Sequence, residues 1–102
     1  MSSDQASAVL DSTAHTPEHV VYRSFVNETV LLNLETGRYF GVNPTGGAML
    51  EQLVAGGTVR AAAERLAEHY GRPYDEIQGD LLAFCTDLEG RGLLELRPSD
   101  SA

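Results

Sequence analysis

Four sets of side chains in this sequence have the composition to carry chemistry: three histidines, one thiol, a series of carboxylates and a glycine pair. The histidines are His15, His19 and His69. None has another His or Cys at metal-ligand spacing, so they read as solvated imidazoles. Cys85 is the lone thiol. A reactive thiol needs a helix N-terminus or a nearby cation to lower its pKa. Cys85 falls in the middle of an apolar helical stretch with no histidine close in sequence, and reads as a buried structural residue. Asp75, Glu76, Asp80, Asp87 and Glu89 follow no calcium-loop spacing. They read as a solvated helix face, with recognition of a basic peptide as the functional alternative. Gly46-Gly47 lies near a helix start but lacks the lysine and the spacing of a phosphate-binding loop. These glycines are expected to let the helix pack closely on the sheet. No triad, carboxylate pair or zinc set emerges. The expectation is a chain that is not an enzyme and holds no metal or cofactor.

These residues are positioned by a simple succession of elements. Residues 1–17 are rich in Ser, Ala, Asp and Thr and are expected to be a disordered tail. Residues 20–26 (VVYRSFV) and 29–34 (TVLLNL) read as strands around an Asn27-Glu28 turn. Residues 38–43 (RYFGVN) read as a third strand after a turn at Gly37. If Thr36-Gly37 is a two-residue loop, Leu34 faces Tyr39 and Leu32 faces Gly41. Alternation then places Leu32, Leu34 and Tyr39 on one face, and Leu31, Phe40 and Val42 on the other. A longer loop shifts the pairing but keeps that alternation. Both faces carry apolar groups and are expected to need cover.

Three helices follow. Asn43-Pro44 suits an N-cap and first helical position, and Met49, Leu50, Leu53 and Val54 form the first stripe. Thr58 caps the second helix, whose Val59, Ala62, Ala63, Leu66, Ala67 and Tyr70 recur at helical spacing up to Gly71. The third helix, about 74–90, carries Ile77, Leu81, Phe84 and Leu88 on one stripe, with Leu82 and Cys85 beside it. Gly92 stops it, and residues 93–96 form a short wing-like strand. The expected fold class is α+β: a three-stranded antiparallel sheet followed by a three-helix winged-helix-turn-helix unit. The domain spans 18–97, and 98–102 is a second disordered tail.

The chain has 102 residues, a formal net charge of −8 and no lysine; all seven basic residues are arginines. Such a balance disfavours nucleic acid and anionic membrane surfaces. No apolar run reaches membrane-spanning length, no signal peptide is evident, and one cysteine cannot form an internal disulfide. A cytoplasmic protein is expected.

The stretch ETGRYFGVNPTGGAMLEQLVAGGTVRAAAERLAEHYG, followed by DLLAFCTDLEGRGLL, resembles the PqqD-like family, the RiPP recognition elements of ribosomal peptide natural-product pathways. The likeness covers about residues 18–96. It implies a leader peptide of a precursor added as a strand beside the third strand, in the cleft between that strand and the third helix. Carried over, the strand side is Arg38, Tyr39, Phe40, Gly41, Val42 and Asn43. The helix side is Ile77, Asp80, Leu81, Phe84, Cys85 and Leu88. The implied partners are the precursor peptide and a modifying enzyme such as a radical SAM enzyme, a protease or a cyclase. The implied pathways include those to lasso peptides and pyrroloquinoline quinone. One departure is Pro73, which cannot supply a side-chain cap where members often have Asp-Pro.

Two other readings remain at this point. A winged-helix DNA-binding transcriptional regulator would use the third helix for recognition, against its five acids and one arginine. A homodimer would pair the sheet edge with a second copy.

Overall fold

A computed structural model describes residues 3–98. In chain order the elements are α1 (Ser3–Leu10), β1 (Ser12–His15), β2 (Val20–Ser24), β3 (Thr29–Asn33), β4 (Tyr39–Val42), α2 (Pro44–Val54), α3 (Val59–Tyr70), α4 (Tyr74–Gly90) and β5 (Glu95–Pro98). The class is α+β. Strands β2, β3 and β4 form the expected antiparallel sheet in that order, leaving β4 at an edge.

The helices begin and end where local chemistry dictates. Asn43 Oδ1 accepts the Gly46 N–H at 2.8 Å, and Thr58 Oγ1 accepts that of Ala61 at 3.1 Å. Pro73 gives α4 no side-chain cap, so its first turn relies on Asp75 and Glu76 against the helix dipole. Gly71 closes α3 in the left-handed conformation at φ 62°. The apolar stripes of the three helices meet in one core of Leu50, Leu53, Val59, Leu66, Ile77, Leu81, Cys85 and Leu88, joined by Leu31 from the sheet.

The structure corrects several expectations. The N-terminal segment is not a tail: α1 packs on the helices and β1 pairs with β5, from Ser12 opposite Pro98 to His15 opposite Glu95. Leu10 and Ala14 are buried. A few small side chains suffice here, because backbone pairing supplies the rest. Of the second tail, Pro98 belongs to β5, and 99–102 lie outside the described residues. The terminal strand is Glu95–Pro98, and its partner is β1; Leu93 and Leu94 before it are core residues.

The hairpin loop is four residues, 34–37. The Asn33 N–H donates to the Arg38 carbonyl at 2.8 Å, and the Asn33 carbonyl accepts the Gly37 N–H at 2.8 Å. Asn33 Oδ1 also accepts from the Glu35 and Thr36 amides. These bonds stabilise the longer loop, and Gly37 takes its φ of 73° without strain. Pairing therefore slips by two residues, to Leu32 opposite Tyr39 and Leu31 opposite Phe40. An even slip keeps each residue on its face.

Finally, helices cover only the inner face of this sheet. Val20, Thr29 and Leu31 are buried there, whereas outward Val21 and Tyr39 are 47% and 78% exposed. Strand β2 ends at Ser24, and Phe25 and Val26 form an exposed turn closed by the Phe25 N–H on the Glu28 carbonyl at 2.7 Å.

Candidate functional site

Backbone geometry defines the site first. Asn33 and Arg38 share a hydrogen bond, so the antiparallel alternation directs Phe40 and Val42 toward β3. The N–H and C=O groups of Tyr39 and Gly41 consequently point away from the sheet. They form the open edge of β4.

A groove runs along that edge, between β4 and α4. Its loop end, about 720 Å³, is lined by Asn33, Thr36, Arg38, Tyr39, Phe40, Arg91 and Leu93. Its other end, about 470 Å³, runs from Phe40 through Asn43 to Thr45, Gly46 and Met49, and faces Asp80, Ala83, Phe84 and Asp87. Phe40 is common to both. A Cβ on Gly46 would stand 3.0 Å from Val42 Cβ and 3.3 Å from the Phe84 ring, so any larger residue would crowd the start of α2 against the groove floor. At the loop end, the Arg91 guanidinium carbon lies 4.3 Å from the Phe40 ring centroid. Arg91 Nε also donates to Asp87 Oδ1 at 3.1 Å. The C-terminus of α4 is thereby held to the strand.

All six strand-side candidates, Arg38 to Asn43, lie on this groove. From α4, so do Asp80 and Phe84. The other four do not. Leu81, Cys85 and Leu88 are fully buried in the core, and Ile77 is 3% exposed. Ile77 borders a small cavity of about 80 Å³ beside Leu66 and Tyr70 instead. The reason is helical phase. Residues 77, 81, 85 and 88 form the strongly apolar stripe, which the core takes. Residues 80, 84, 87 and 91 form the neighbouring stripe, which the groove takes.

The site expected from the family resemblance does not include Ala83, Asp87 and Arg91 beside that second stripe, or Thr45, Gly46 and Met49 on α2; from sequence, Asp87 reads only as one of the acids of a solvated helix face, with basic-peptide recognition as the alternative. The signal for the first three was their i+3 and i+7 spacing from Asp80 and Phe84. The mixed charge of that face disguised it as solvated surface.

The titratable groups elsewhere are dispersed. His15 is in β1 and bonds to Thr13 Oγ1 at 2.8 Å; His19 approaches Glu35 at 3.2 Å; His69 packs against Tyr70 late in α3. Burial, with a smaller effect of the Glu89 charge, pushes the Cys85 thiol up to about 12. A thiol so disfavoured as thiolate is a poor nucleophile at neutral pH. Among the described residues, no helix is long and apolar enough to cross a membrane.

The sequence of residues 28–94 matches the family described as coenzyme PQQ synthesis protein D (PqqD). The chain belongs to this family. Two solved structures share its fold. One, described as TbiB1 in complex with the TbiA(beta) leader peptide, is 29% identical, with a TM-score of 0.72 over 78% of this chain and 93% of that one. The other, described as lasso peptide synthetase B1 complexed with the leader peptide, is 21% identical, with a TM-score of 0.73 over 80% and 96%. The second likeness speaks to fold. No curated protein matches the chain.

Proposed function

We propose that this PqqD-family chain is a non-catalytic module that binds the leader segment of a ribosomally made precursor peptide by strand addition to β4. The observation that carries this reading is the pair of outward residues, Tyr39 and Gly41, beside a groove with an apolar floor. Their two N–H and two C=O groups can take up to four hydrogen bonds from an extended chain, at about 0.5–1.5 kcal/mol net each. Side chains of the added strand enter the groove, where Phe40, Val42, Met49 and Phe84 offer apolar surface. Burying two of them adds roughly 3–6 kcal/mol before ordering costs. Micromolar affinity, about −8 kcal/mol, is a reasonable sum. The leader-peptide complexes of the two structural relatives support the same reading.

The bound leader is delivered to a modifying enzyme: a radical SAM enzyme, a protease or a cyclase, in the biosynthesis of a lasso peptide, of pyrroloquinoline quinone or of a related product. The exposed outward sheet face, with Val21 and Tyr39, stays free for that enzyme while the edge is filled. The work takes place in the cytoplasm. In the free protein, the edge is available to a second copy of the chain. A transcriptional role on DNA finds no support, because α4 presents Asp75, Glu76, Asp80, Asp87 and Glu89 to the phosphates.

Isothermal titration with the leaders encoded beside this gene tests the reading. Binding to one of them, with new hydrogen-exchange protection at Tyr39 and Gly41, is the expected result. Failure of every such leader to bind would reject it. A dimer that dissociates on leader addition would show that both occupants use one edge.

A further inference from the structure

The geometry points to an acid-reading subsite at the loop end of the groove, in which Arg91 and Arg38 select an Asp or Glu side chain of the added strand. This inference rests on the proposed leader binding and deepens it.

Two residues make the subsite. Arg91 is held at two points, by its contact with the Phe40 ring at 4.3 Å and by its Nε bond to Asp87 at 3.1 Å. Among the described residues, no acceptor takes its Nη donors. A guanidinium fixed in this way presents its remaining N–H groups with little further loss of side-chain freedom, and the fork matches a carboxylate. Arg38 lines the same end of the groove and forms no ion pair among the described residues. No Asp or Glu lines the wall of this end, while Asp80 and Asp87 line the other; Asp87 reaches Arg91 at Nε and offsets part of its charge, so the uncompensated positive charge here is that of Arg38. Arg60, Arg72 and Arg97 are engaged with carboxylates elsewhere, and Arg65 with Gln52 and the Gly56 carbonyl.

The position relative to the edge gives the subsite its use. Tyr39 supplies the first outward backbone groups of β4, and Phe40 and Arg38 flank it. A peptide pairing with Tyr39 therefore carries one side chain past Arg91. The chain as a whole bears a net charge of −8, so its overall field favours basic peptides. An acid preference at this one position runs against that field and is attributable to the two arginines.

The test uses the full chain against a displayed library of random strand-length peptides, followed by solution binding of one enriched peptide. Enriched peptides are expected to share an acid at one position. Replacing that acid by its amide should weaken binding to the wild-type chain roughly five- to tenfold. The same replacement should matter less than about twofold against Arg91→Gln. Arg91→Lys, which keeps the charge and loses the fork, should retain part of the preference. Arg97→Gln, remote from the groove, should retain all of it. Equal binding of the acid and amide peptides to the wild type overturns the subsite and leaves leader binding standing. If no peptide is enriched and no leader binds, the proposed function fails, and the subsite with it.

Discussion

The Arg91 guanidinium sits over the ring of Phe40, joining the C-terminal end of α4 to the edge strand across the groove. Its second anchor is Asp87, one helical turn back. Both partners of that ion pair are about half exposed, at 51% each, which limits the pair to a few tenths of a kcal/mol. The ring contact contributes roughly 0.5–1 kcal/mol at such a site. Arg91→Ala is therefore expected to lower the unfolding free energy by about 1 kcal/mol. Urea titration should show a lower midpoint with an unchanged m-value.

The alternation along β4 predicts a pattern of amide exchange in the free protein. Phe40 and Val42 direct their N–H groups into the β3 ladder and should exchange slowly. Tyr39 and Gly41 direct theirs to solvent and should exchange fast. Residue-resolved hydrogen exchange distinguishes the two pairs without any ligand. Fast exchange at Phe40 with slow exchange at Tyr39 would mean that the register is wrong by one residue.

The two sides of the groove differed in how readable they were in the sequence. Alternation along β4 is a local property, so residues 38–43 could be placed from their own pattern. The loop length was not local in that sense. It depends on Asn33 Oδ1 capturing the amides of Glu35 and Thr36, a bond that the two-residue loop does not contain. On α4, the apolar stripe attracted attention, and the core had already claimed it. The groove took the adjoining stripe of Asp80, Phe84, Asp87 and Arg91, whose polarity resembles any solvated face. The N-terminal strand was hidden for another reason: Ser12, Thr13 and Ala14 have no apolar bulk, and their partner β5 is more than eighty positions away.

That N-terminal segment yields a direct test. Leu10 is 3% exposed and belongs to the core cluster. Leu10→Ala should destabilise the protein by roughly 2–4 kcal/mol. A residue in a disordered tail would give no change in the unfolding midpoint.

Two helical glycines should respond to alanine with opposite signs. At Gly47 an added Cβ would collide with the side chain of Thr29, whose own Cβ would be 3.2 Å away. The overpacking is expected to exceed the gain in helix propensity, for a net loss of about 1–2 kcal/mol. At Gly79 nothing lies within 4 Å of the added carbon. There only the propensity acts, and Gly79→Ala should stabilise by about 0.5–1 kcal/mol. Paired urea melts check both signs, and a stabilised Gly47→Ala would show that α2 does not rest against β3 as described.

The buried thiol predicts a loss of stability in alkali. Burial raises the folded pKa of Cys85 from an ordinary 9.0 to about 12. The folded chain thus keeps its proton at pH values where the unfolded chain has released it. The neutral thiol is common to both states below pH 9, so the full stability is present there. Between about 9 and 12 the unfolded state gains thiolate that the folded state cannot form, and stability falls by at most about 1.4 kcal/mol per pH unit. Near pH 10 the loss should be about 1.4 kcal/mol. Tyrosines titrate in the same range, so the measurement compares wild type with Cys85→Ala at about pH 8 and pH 10. The wild type should lose more over that interval than the variant. Equal losses would mean that the thiolate is as well accommodated in the folded chain as in water, contrary to its place among Leu81 and Leu88.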